Sequence, residues 1–121
     1  MDQQILERAK KIKLLLLDVD GVMTDGRIYY GNYGDELKAF NVKDGFGIVL
    51  LQRAGIETAI ITAKKSKIVK LRARDMGVRR IYENPLKLKV LNKLLRKFRL
   101  ENEEVCFIGD DLIDLPILKN V

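Results

Sequence analysis

At residues 14–17 four leucines run directly into Asp18-Val19-Asp20-Gly21, so an apolar run at 14–19 ends in an acidic, glycine-containing loop. Apolar continuity without polar alternation marks a strand covered on both faces, as in a parallel sheet layered between helices. ETAIIT at 57–62 repeats the pattern, RIY at 80–82 gives a shorter version, and VCFIG at 105–109 a fourth. Helical segments fall between them. Asp44 is placed to cap a helix that Gly55 ends after Ala54. Residues 65–76 carry Ile68, Val69 and Met76 in a basic helix that stops at Gly77. Asn84-Pro85 opens a long helix with Leu86, Val90, Leu91, Leu94, Leu95 and Phe98 on its apolar face. Shorter helices are predicted around Ile5, Leu6, Ala9 and Ile12 and over 115–120. RIYY and ELKAF, separated by GNYGD, predict a β-hairpin over 27–40. Strands alternating with helices predict an α/β fold with a parallel sheet, in which ligands bind beyond the carboxyl ends of the strands.

Composition narrows the chemistry. The chain has no histidine and one cysteine, Cys106. Histidine general bases, Ser-His-Asp and Cys-His nucleophiles, intrachain disulfides and thiolate metal clusters are all excluded. A net charge of +6 suits an anionic partner without naming one. The run at 14–17 is far too short to span a membrane. MDQQILERAKKIK lacks the apolar core and small-residue cleavage site of a secretion signal. A cytoplasmic protein without a membrane partner is expected, and 121 residues suit one domain over 1–121.

The acids sit where an α/β sheet puts its ligands. Asp18 and Asp20, two positions apart on a strand, should point the same way. Asp110, Asp111 and Asp114 follow the fourth strand. If the first and fourth strands are neighbours, these carboxylates converge, and a cation is needed to offset their repulsion. An all-oxygen donor set points to Mg²⁺. Any one of these aspartates taken singly reads better as a turn or cap residue; their joint arrangement favours the metal. Thr62, ending the second strand, can hold an anionic oxygen or cap the next helix. Lys87 lies near the positive end of the long helix, an unfavourable place unless an anion or acidic cluster is in reach. The plain alternative is a solvated surface lysine.

These residues resemble the haloacid dehalogenase superfamily, and more closely its 3-deoxy-D-manno-octulosonate 8-phosphate phosphatase branch, which serves lipopolysaccharide biosynthesis. LLLLDVDGVMTDG, FNVKDGFGI, IITAKKSKIV and VCFIGDDLIDLPIL carry the likeness in order and spacing over about residues 12–121. DxDGVxTDG together with GDDxxD is specific; a lone Thr62 or Lys87 is not. The resemblance implies a Rossmann-like three-layer α/β/α fold with a hairpin insert and no large cap domain. It also implies a small phosphorylated sugar acid as substrate. Asp18 would be the nucleophile that forms an aspartyl-phosphate, and Asp20 the acid and then the base. Mg²⁺ would be held by the Asp18 carboxylate, the Asp20 carbonyl and Asp110. Thr62 and Lys87 would bind the transferring phosphoryl group, with Asp111 and Asp114 supporting the site or capping the following helix. Asn41, Val42, Lys43, Asp44 and Gly45 match a segment that contacts the sugar acid, and Lys64 and Arg72 match positions that bind the anionic substrate.

The chain departs from that branch at three points. Val49 stands where an arginine is common in the DGxGIR segment. Ala63-Lys64 replaces Gly-Arg or Ala-Arg, losing a bidentate fork for carboxylate or phosphate. Family members also continue past this point with another strand and a tail. The short insert leaves the site open in one subunit, and the branch closes it by forming a homotetramer through the hairpins. Ile28, Tyr29, Tyr30, Tyr33 and Phe40 would supply that apolar contact. A noncatalytic module on the same fold is the alternative. A receiver-like signalling domain fits less well, because it has no use for a second acid two residues after the first. No aromatic-basic platform supports a nucleic-acid partner.

Overall fold

The computed structural model describes residues 1–121. At its centre is β1 (Leu14–Leu17), buried at all four positions. It pairs on one side with β4 (Glu57–Thr62) and on the other with β6 (Val105–Ile108); β5 (Arg80–Glu83) lies beyond β4. Every pairing is parallel, in the order β5-β4-β1-β6. The first and fourth predicted strands are therefore neighbours.

Successive side chains of a strand face opposite ways, so β1 serves two cores. Leu14 and Leu16 meet Leu91 and Leu94 of α4 (Lys87–Phe98) and Ile117 of α5 (Leu115–Leu118). Leu15 and Leu17 meet Ile48 of α2 (Val42–Arg53) and Val69 and Ala73 of α3 (Lys67–Asp75). The result is three layers, α/β/α, with no cap domain. The opening helix α1 (Gln3–Lys10) is capped by Asp2 and fully buries none of its residues, so its apolar spacing does not reflect a place in the core. No helix is long and apolar enough to cross a membrane.

Three local expectations are corrected. Asn41, not Asp44, caps α2: its side chain accepts from the Lys43 N–H at 2.8 Å. Asp44 sits inside the first turn, where its charge meets the positive end of the helix. The long helix begins at Lys87, because Asn84 takes the Leu86 N–H in a turn at 2.9 Å and leaves Leu86 outside, exposed. The hairpin pairs only β2 (Tyr29–Tyr30) with β3 (Glu36–Leu37), antiparallel. Of its expected apolar surface, Ile28, Tyr29, Tyr30 and Tyr33 are exposed, but Phe40 is half-buried against the α2–α3 core under the Arg72 guanidinium.

Leu91 carries the docking of α4 on the sheet and is fully buried. Leu91→Ala is expected to lower unfolding free energy by about 2–5 kcal/mol in urea titration, whereas a loss well under about 1 kcal/mol would contradict this packing.

Candidate active site

The carboxyl ends of the parallel strands deliver Asp18, Thr62 and the Gly109-Asp110-Asp111 loop to one edge. The Asp18 N–H continues the ladder to the Ile108 carbonyl at 3.0 Å, and the Asn84 N–H bonds the Thr62 carbonyl at 2.8 Å. Side chains just past these ends face a cavity of about 360 Å³, lined among others by Asp18, Asp20, Thr62, Lys64, Lys87 and Asp110.

Lys87 is no surface lysine. Its side chain is 1% exposed, and its ammonium donates to Asp18 Oδ1 at 2.9 Å and to Asp114 Oδ1 at 2.6 Å. Asp114 is completely buried, and its other oxygen accepts from the Asp110 and Asp111 N–H groups at 3.1 and 3.2 Å. Asp111 accepts from the Leu112 N–H and caps the short 3-10 turn at Leu112–Asp114. One ammonium thus joins the end of β1, the start of α4 and the loop after β6.

Two carboxylates share this single cation, which leaves one negative charge in excess. Burial opposes the charge on Lys87, but the Asp114 and Asp18 carboxylates outweigh it and hold the ammonium above its ordinary 10.5. At Asp18 burial is the larger influence and raises the carboxyl, with Lys87 opposing it. A further cation beside Asp18 would relieve this imbalance.

Carboxylate oxygens of Asp18, Asp110 and Asp114 lie within 4.8 Å of one another. Both Asp114 oxygens are already taken, so Asp18 and Asp110 are the free donors. Gly21 has φ +85° and lies against Asp110, where a β-carbon would overlap Asp110 Oδ2. The missing side chain lets the Asp110 carboxylate rest on the backbone just after Asp20. These hard oxygen donors fit a small divalent cation.

Thr62 is buried at the cavity wall and caps nothing; Ser66 caps α3, with its hydroxyl accepting from the Val69 N–H. Glu83, at the end of β5, accepts from the Ser66 N–H at 3.1 Å and pairs with Lys70, fixing the loop that carries Lys64. Lys64 is exposed at the cavity mouth beside Lys65. Acids and lysines both line the cavity, with Lys87 and Lys38 paired to acids and Lys64 and Lys65 exposed at its mouth.

The remaining predicted residues are elsewhere. Asn41, Val42, Lys43, Asp44, Gly45 and Arg72 do not line this cavity. Arg72 donates to the Asn41 carbonyl at 2.9 Å and packs over Phe40 and against Gly45, joining α3 to the start of α2. Cys106 is half-buried, and burial pushes its thiol up, so it offers no ready thiolate. Lys38 lines the same cavity, although no motif in the sequence marks it. Its ammonium, on a side chain 5% exposed, bonds Asp20 Oδ1 at 2.5 Å and Glu36 at 3.2 Å. Strand alternation at ELKAF held the signal, since Glu36 and Lys38 share one face.

A haloacid dehalogenase-like hydrolase profile matches residues 42–121, more than half of the chain. The chain belongs to this family. Among relatives of this haloacid dehalogenase-like hydrolase, the 3-deoxy-D-manno-octulosonate 8-phosphate phosphatase of Escherichia coli K12 is 47% identical over 118 residues, covering 97% of this chain. The chain spans 63% of that curated relative's length. The solved enzyme of the same name from Yersinia pestis superposes with TM-score 0.96 at 45% identity, over 100% of this chain and 66% of the other. That from Moraxella catarrhalis, solved with magnesium, phosphate and KDO, gives 0.95 at 40% identity, over 100% and 70%.

Lys87→Met leaves Asp18 and Asp114 buried without their cation and is expected to cost about 3–5 kcal/mol of stability at neutral pH. Because the ammonium is held above 10.5, its contribution is complete below that pH and is lost as pH rises through the folded value. In chemical denaturation the gap between wild type and variant should stay level from neutral pH to about 10.5 and narrow above it. A gap that closes near neutrality would contradict the pairing.

Proposed function

We propose that this chain is a Mg²⁺-dependent phosphomonoesterase acting on 3-deoxy-D-manno-octulosonate 8-phosphate through an aspartyl-phosphate. The observation that carries this reading is Asp18, gripped by a buried lysine, with a second acid two residues on and further lysines lining the same cavity. The Moraxella catarrhalis relative, solved with magnesium, phosphate and KDO, supports the metal and the substrate class.

In the first step an Asp18 oxygen bonds to phosphorus as the P–O bond to the sugar breaks, and Asp20 gives its proton to the departing alkoxide. A water then attacks phosphorus, Asp20 takes its proton, and the Asp18–phosphorus bond breaks to release inorganic phosphate. Lys87 has three protons and spends two on Asp18 and Asp114, so the third is available to a phosphoryl oxygen. The Thr62 hydroxyl donates to another. Asp18, the Asp20 carbonyl and Asp110 would hold Mg²⁺, which would supply charge neutralisation for nucleophile and phosphate.

Lys64 at the cavity mouth suits the substrate's carboxylate. Asn41, Val42, Lys43, Asp44, Gly45 and Arg72 remain substrate candidates, but across a subunit boundary. A homotetramer built through the hairpins would present them to a neighbouring cavity. Exposed Tyr29, Tyr30, Tyr33 and Leu37 on the hairpin, with Val42 and Phe46 on α2, support such an interface. Residues 1–121 act in this reading as one phosphatase domain. The lone thiol of Cys106 favours the cytoplasm, with neither membrane nor nucleic acid as partner.

Phosphate release from the octulosonate ester should require Mg²⁺, stop with chelator and return when the metal is restored. Asp18→Asn should lower turnover by about 10⁴–10⁶-fold, the scale seen when a covalent nucleophile is removed. Near-wild-type activity in that variant would remove Asp18 as nucleophile. No release by the folded wild-type chain would remove the activity itself. Light scattering that gives a monomer would remove the tetramer.

A further inference from the structure

The hairpin makes one polar tie to the α/β domain, and that tie falls on the acid. Across residues 27–38 the other hydrogen bonds and ion pairs stay within the hairpin or reach only Asp25, next along the chain. Lys38 alone reaches across, to Asp20 Oδ1. Glu36 of β3 holds the same ammonium from the hairpin side at 3.2 Å. Burial opposes the charge on Lys38, but Asp20 and Glu36 outweigh it and keep the ammonium charged. The second oxygen of Asp20 takes no protein donor, and Asp20 lines the cavity with Asp18 and Lys87.

We propose that Lys38 is a positioning residue for Asp20: by fixing Oδ1 from the hairpin, it aims Oδ2 at the leaving-group oxygen. This rests on the phosphatase reading above. In the step concerned, the Asp18 oxygen bonds to phosphorus, the P–O bond to the sugar breaks, and the proton on Asp20 Oδ2 passes to the alkoxide. A Lys38 side chain that only stabilised the hairpin would affect every substrate alike. One that aims the acid matters most where the leaving group needs a proton.

The test compares the sugar-acid phosphate, whose alkoxide must be protonated, with p-nitrophenyl phosphate, whose phenolate leaves without a proton. kcat/KM covers the steps through phosphorylation of Asp18, so it isolates the acid step from the later hydrolysis. Lys38→Met should lose about 10²-fold or more on the alkyl ester and less than about tenfold on the aryl ester, the span expected for general acid catalysis. Lys38→Arg, which restores a cation, should recover most of the alkyl activity. Equal losses on both esters, or no loss on either in a variant that melts like wild type, would overturn the proposal. If wild type cleaves neither ester, the phosphatase reading fails separately. The tie is then judged by hydrogen exchange over residues 28–38. Lys38→Met and Asp20→Asn should each speed exchange there, and the double variant should add nothing further. Unchanged exchange would overturn the tie and the proposal with it.

Discussion

The buried Lys87 ammonium is the contact on which the rest of this edge depends. It links three segments far apart in sequence, and each would otherwise carry a charge it could not keep out of water. Asp114 would be a buried anion without it, and the loop after β6 would lose the acceptor that fixes the Asp110 and Asp111 N–H groups. Paired ions inside a protein gain little over apolar packing, so their retention is poorly explained by stability alone. Here the arrangement leaves one carboxylate charge in excess beside a cavity, which is useful to a nucleophile and to a cation-binding site.

The sheet could be read from the chain because its signal is local. Residues 57–62 are a strand as expected, and apolar continuity marks strands at 14–17 and 105–108 without reference to any distant residue, although only the first is buried throughout and Ile108 of the edge strand is exposed. Helix starts were harder, since Asn41 and Asp44 are equally good caps by type and backbone geometry chose the first. The burial of Lys87 was beyond any local pattern. Its partners lie 69 and 27 residues away, and the helix position taken alone favoured a solvated side chain. Asn41–Gly45 and Arg72 match the family by motif; they do not line the cavity, and Arg72 holds the Asn41 carbonyl.

Two lysines divide the two aspartates between them. Lys87, from the domain, holds Asp18 and is locked by the core; Lys38, from the hairpin, holds Asp20. Asp18 is therefore held by the fold itself, whereas Asp20 is also tied to a ribbon of two short strands.

The alternation of Leu14 and Leu16 with Leu15 and Leu17 makes β1 a ruler as well as a strand. Its four residues fix which side chains fill each layer, and the next one is Asp18. Adding or deleting one residue in β1 would exchange the contents of the two layers and rotate the carboxylate away from Lys87 together. At the hairpin tip, where Tyr33 is 99% exposed, an added residue would disturb neither. Length variation among descendants of this chain should therefore gather at the tip and be absent from the central strand.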